Sequence, residues 1–242
     1  MGINDNIYDK LQEYLGLEYA GINVIEEKID SDTQLEFFES SRNYCPVRSE
    51  QEIIDSKHRL LDKDLPIEKK KNMLLELASL NNIEAFRAIE HYLHQPHIKL
   101  HDWACMALHE SKLQLESSLL DQNKILISTG LGGEGFRLRY FVVFFTPKGN
   151  AIDNQQAKLI RKELSYFMSK NNSELEDLEF EGCFASALCL IPLNIPPQPI
   201  FHKVISECNL LGNFLFNDFI ITNMRAMSSE DIYELLAVNN IY

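Results

Sequence analysis

The stretch ISTGLGGEGFRLRYFVVFF, residues 127–145, carries Gly130, Gly132 and Gly135 in the pattern G-x-G-x-x-G. In a dinucleotide-binding fold such glycines join a strand to a helix whose N-terminal N–H groups face a pyrophosphate. Here Gly135 is followed by FRLRYFVVFF, with aromatic and branched side chains at both parities, the pattern of a buried strand. The loop is therefore expected to join strand to strand, and the dinucleotide reading falls. Two readings remain. The first is a flexible hairpin or hinge. The second is an anion site, in which the amides of Gly130, Gly132, Gly133 and Gly135 form a nest beside Arg137 and Arg139 on one strand face. Lys148 is a further candidate donor, while Glu134 within the loop opposes a bound anion.

A second group with chemical potential is histidine. Five of the seven lie between His91 and His109. His91 and His94 are one helical turn apart, as are His97 and His101, with Gln95-Pro96 between the pairs. A chain reversal there would gather four imidazoles, a donor set suited to zinc or another borderline metal. The competing reading is a solvated group, because His91 and His94 share the polar face of Glu84 and Arg87; a pH-sensitive contact is the third. No cofactor is assigned. The chain lacks a G-x-S-x-G elbow, a Walker loop and H-E-x-x-H. Glu174, Glu176, Asp177, Glu179 and Glu181 read as solvated charges before a strand. Cys45, Cys105, Cys183, Cys189 and Cys208 never form C-x-x-C and read as reduced structural thiols, which points to the cytoplasm.

The elements that must position these groups change character along the chain. Residues 1–48 are acidic, with ten carboxylates against two lysines up to Ser41; Ile7–Leu15 reads as an amphipathic helix. From Ser49 to Leu120 the pattern is helical. Ser49 and Glu52 make a capping box, and Pro66 suits a helix start. Met73, Leu74, Leu77 and Leu80 form one apolar stripe; Ala85, Phe86, Ile89, Tyr92 and Leu93 a second; Leu100, Trp103, Ala104, Ala107 and Leu108 a third. Lys69-Lys70-Lys71, answered by Asp62, Asp64, Glu68 and Glu76, reads as a solvated helix face. After Asp121, strands are expected at Lys124–Thr129 and Arg137–Thr146, then one strand or a hairpin bent at Glu181-Gly182 ending at Leu193, and a strand at Phe214–Thr222. Helices are expected after Asp153, at Ile200–Cys208 and at Ser229–Val238.

This order specifies an α+β chain, with an antiparallel α-helical domain over residues 1–120 and a small α/β sandwich over residues 121–242. The segment NNIEAFRAIEHYLHQPHIKLHDWACMALHES resembles HEAT-type repeats, which stack helix pairs into a solenoid; a plain helical bundle produces the same pattern. The strand and helix order of the second half resembles a ferredoxin-like sandwich with its helices largely on one face. His109-Glu110 is similar to the His-Glu pairs through which deoxyhypusine hydroxylases, a HEAT-repeat family, hold two irons, but one pair supplies too few ligands.

Net charge −13 opposes nucleic acid as a partner, since phosphate backbones are held by clustered Lys and Arg. The apolar run Phe184–Leu193 is too short to span a bilayer, and the polar start MGINDNIYDK does not read as a secretory signal. The expected function is a non-enzymatic protein-interaction or regulatory module using its helical face. The alternative is a small-ligand or metal-dependent enzyme with a site at the junction of the two halves.

Overall fold

A computed structural model describes residues 21–120 and 124–238. The expected helix at Ile7–Leu15 lies outside the described residues. The remainder is α+β and falls into two compact units, the first ending at Ser128 and the second beginning at Thr129. Among the described residues, no helix is long and apolar enough to cross a membrane.

The first unit contains β1 (Ile22–Val24), α1 (Ser31–Asn43), α2 (Glu50–Asp55), a 3-10 turn (Lys57–Leu61), α3 (Ile67–Ala78), α4 (Ile83–Leu93), α5 (His101–Leu120) and β2 (Ile125–Ile127). Local chemistry sets the helix starts. Asp30 accepts the Thr33 amide, Ser49 and Glu52 form the expected capping box, and Asn82 accepts the amides of Glu84 and Ala85. Each bond satisfies an N–H that the helix itself leaves open. α5 packs against α1, α3 and α4. At its centre Trp103 stands edge-to-face on Phe37, ring centroids 5.1 Å apart. Its indole N–H donates to the Lys71 carbonyl at 3.1 Å, so the polar edge of a buried ring is satisfied. Leu74, Leu77, Ile89 and Leu100 complete this core.

The boundary differs from the one expected at residue 120. β2 pairs in parallel with β1, Ile22 opposite Ile125 and Val24 opposite Ile127. Lys124 binds Glu116 of α5 at 2.7 Å, and the Ser128 hydroxyl donates to Gln34 of α1 at 2.6 Å. These long-range bonds hold residues 124–128 in the helical unit, although their β-branched composition reads like the sheet that follows.

The second unit contains β3 (Gly133–Glu134), β4 (Arg137–Phe145), α6 (Asn154–Lys170), β5 (Glu174–Glu181), β6 (Phe184–Pro192), α7 (Pro197–Asn209), β7 (Phe219–Thr222) and α8 (Ser229–Val238). From β4 to β7 the order is β-α-β-β-α-β, that of a ferredoxin-like sandwich. The strands lie β7-β4-β6-β5, with every neighbour antiparallel, and the short β3 shares the β7 side of β4. Strand alternation sorts the side chains. Val142, Phe144, Ala185 and Ala187 face a core with Leu164 of α6 and Phe201 of α7. Phe141, Val143, Phe145 and Phe184 face the opposite core with Ile232 and Leu236 of α8. Two helices thus cover one face and α8 the other. The reason is that β4 is apolar at both parities and would otherwise leave its odd-numbered residues in water. β5, a sheet edge, carries the acidic run, and charge on an edge discourages pairing with other chains.

Candidate functional site

The glycine loop joins β3 to β4 through Gly135-Phe136, strand to strand. Gly132 and Gly135 have φ of 67° and 58°, the left-handed region in which a Cβ is costly. The loop leads into a strand and not into a helix N-terminus, which removes the geometry of the dinucleotide fingerprint. Arg139 directs Nε at Glu176 at 2.7 and 2.9 Å, and its Nη1 donates to the Leu131 and Gly133 carbonyls at 3.4 and 3.1 Å. Arg137 binds Glu134 at 3.1 Å and Glu174 at 3.4 Å. The Leu131 and Gly132 amides donate to the Asn223 and Thr129 carbonyls. The loop turns carbonyls toward Arg139, and both guanidiniums engage the chain's own carboxylates. Sheet register explains this pairing: Arg139 lies opposite Leu190 and Leu190 opposite Glu174, so the long arginine side chain spans β6 to the bulge between Leu175 and Asp177.

The histidines diverge. His91, His94 and His97 converge on one pocket of about 620 Å³ at the end of α4. The His91 and His94 rings stand edge-to-face, 6.4 Å apart. His97 Nδ1 accepts the Lys99 amide at 3.3 Å, and the His97 amide donates to the Tyr92 hydroxyl at 3.2 Å, which fixes the reversal at Gln95-Pro96. His101, expected as the fourth ligand, instead places Nδ1 3.1 Å from Asp102. Among the described residues no group of three or more His, Cys, Asp or Glu is arranged to hold a metal ion. The four-histidine site therefore does not assemble, because the turn after Pro96 carries His101 onto α5 and toward Asp102.

The pocket holds a residue that the sequence reading placed in water. Lys70 is only 6% exposed, beside buried Leu60 and Tyr92, and its ammonium sits 5.9 Å from the Tyr92 ring centroid. Its neighbours differ: Lys69 is exposed, and Lys71 binds Glu36 at 2.7 Å while lying 4.6 Å from the Trp103 ring centroid. The signal was present in the spacing, since 70, 73, 74 and 77 share one helical stripe and Lys70 stands on its apolar side. Lys63, His91, His94 and His97 are exposed around the same pocket. Among the described residues its lining contains no carboxylate, although the chain carries 36 acidic residues against 23 basic ones.

A second constellation went unread. Cys105 Sγ lies 3.9 Å from the His101 ring nitrogens, and His101 meets Asp102, an arrangement that superficially matches a nucleophile, base and orienter. Its electrostatics are wrong for that role. Burial, then the nearby Glu27 and Asp102 carboxylates, push the Cys105 thiol up to about 12, so it stays protonated at neutral pH. On the same helix His109 bonds Glu27 at 2.9 Å, and that bond holds the Glu27 carboxyl down at about 2.

No protein-family model matches the chain. No curated protein matches it either. Among solved structures, one similar chain is a protein described as a "putative transposase" from Deinococcus radiodurans R1, at 16% identity and a TM-score of 0.32. That match covers 44% of this chain and 92% of the other. At that score the functional reading rests on the site itself.

Proposed function

We propose that the chain is a non-enzymatic interaction module whose helical unit, HEAT-like in its pairing of α3, α4 and α5, docks an acidic segment of a partner protein. The seat is the groove between the Lys57–Leu61 turn and α4. Three adjoining pockets of about 570, 290 and 620 Å³ run along it and share lining residues from one to the next. Leu60, Leu61, Ala88 and Tyr92 supply an apolar bed. The observation that carries the reading is the carboxylate-free, cationic end around Lys63 and Lys70, set in a chain of net charge −13. Charge complementarity of this kind selects an acidic group at that end of the groove, whereas Glu50, Asp55 and Glu84 line the other end. Buried, protonated thiols and the lack of an activated nucleophile at Cys105 favour binding over catalysis, and reduced cysteines fit a cytoplasmic setting.

The test is site-specific photocrosslinking in cells, with the crosslinker at His58 in the groove or at Tyr166, an exposed residue of α6. The expected result is one partner polypeptide captured from position 58, through a segment rich in Asp, Glu or phosphorylated residues, and lost when Ala88→Arg fills the groove. Equal capture with and without Ala88→Arg, or capture only from position 166, overturns the reading.

A further inference from the structure

The Lys70 side chain is buried, and among the described residues its ammonium has no anionic partner. No carboxylate among the described residues pairs with it, and the Tyr92 ring face at 5.9 Å is its one charge-directed contact. Withdrawing a charge from water without a partner is unfavourable, and buried charges are ordinarily paired. The nearest acid in sequence, Glu68, is exposed and outside the pocket lining, as are Asp62 and Asp64, and the Asp64 amide donates to Asp62 at 3.0 Å. Helical periodicity puts Lys70 on the inner stripe, and the cavity gives its head a place to receive something.

We propose that this pocket is an oxyanion-binding site that takes a carboxylate or a phosphate monoester carried on an apolar body. Lys70 at the floor pairs with the anionic group. Lys63 and the imidazoles of His91, His94 and His97 surround the mouth, adding charge and N–H donors. Leu60, Leu61 and Pro96 receive the apolar part. A volume of about 620 Å³ suits a small molecule or the tip of a side chain. The inference deepens the docking reading by naming the group that the closed end of the groove recognises, and small probes test it without any partner protein.

Titration calorimetry of the full chain at neutral pH and low salt, with phenyl phosphate, benzoate and the neutral isostere benzamide, decides it. At least one of the two anions binds tenfold or more tightly than benzamide, and its affinity falls as salt is raised. Preference for phenyl phosphate identifies a phosphate ester as the natural group; preference for benzoate identifies a carboxylate. Lys70→Met abolishes the discrimination, Lys70→Arg retains it in part, and Lys70→Met melts no lower than the native chain because it removes a cation with no acid partner among the described residues. Benzamide binding as well as both anions, in the unmodified chain, overturns the proposal whatever the variants do. So does undiminished anion preference in Lys70→Met. Absence of anion discrimination in the unmodified chain with crosslinking from His58 intact removes the oxyanion site alone, whereas anion binding without a crosslinked partner removes only the docking reading.

Discussion

Replacing Gly182 with alanine tests how the sandwich is locked at its β5–β6 hairpin. Gly182 has φ of +54°, and a Cβ built there would stand 2.6 Å from the Tyr233 hydroxyl of α8. Two costs follow. An L-residue at this φ is strained by roughly 1–2 kcal/mol. Tyr233 must also retreat, disturbing its edge-to-face contact with Phe184 at 5.3 Å, worth about 0.5–1.5 kcal/mol. The sum is a destabilisation of about 2–3 kcal/mol. Movement at the turn also threatens the bond from the Ile152 amide to the Gly182 carbonyl, 2.8 Å, which secures the chain leading into α6. Native-state hydrogen exchange of β4 and β6 peptides reads the sandwich's own stability. A double-mutant cycle isolates the steric part. In a Tyr233→Phe background the clashing oxygen is gone, so Gly182→Ala costs less by about 1 kcal/mol, leaving mainly backbone strain. Equal cost in both backgrounds refutes the close-approach argument.

Thiol chemistry follows burial. Cys105, Cys189 and Cys208 are each pushed up to about 12, first by burial and then by nearby carboxylates, while Cys45 is exposed. A disulfide reagent at pH 8 modifies one thiol rapidly in the native protein and all five only on unfolding; a second rapid thiol contradicts this. Glu27 is held down at about 2 from the usual 4.5, chiefly by its hydrogen bond from His109. A depressed carboxylate stabilises the fold above its unfolded value, and that contribution disappears as pH falls from 4.5 towards 2. The side chain is 48% exposed, so solvent limits the effect to no more than about 1 kcal/mol. Glu27→Gln should flatten the acid limb of the helical unit's stability curve, and an unchanged slope counts against the pair. Asp153→Ala removes a capping box whose carboxylate accepts the Gln155 and Gln156 amides. The expected loss is about 1 kcal/mol, read by exchange in α6, and unaltered protection there means the cap is dispensable.

Features governed by neighbours in the chain were legible without coordinates. The Ser49–Glu52 capping box, the helix start at Asp153, the apolar stripes of α3 to α5, and the passage from glycines into strand at Phe136 all depend on groups a few residues apart, whose geometry is set by helix or strand period. The α+β division could be read for the same reason. The spacing of Lys70 with Met73 and Leu77 was equally visible, but three adjacent lysines invited a surface reading that outweighed it.

Tertiary structure alone decided which charges meet. Glu174 and Glu176 reach Arg137 and Arg139 only because β6 lies between β4 and β5. Residues 124–128 join the helical unit only because β1, a hundred residues earlier in the chain, offers them an edge. His101 leaves the other histidines through a turn whose direction is fixed by Tyr92 and His97. A side chain's charge is written in its codon, but whether that charge is answered depends on what the folded backbone brings within a few ångströms of it. Lys70 ends in a cavity with no acid beside it among the described residues, which follows from the packing of α3 against α4 and not from any run of neighbouring residues.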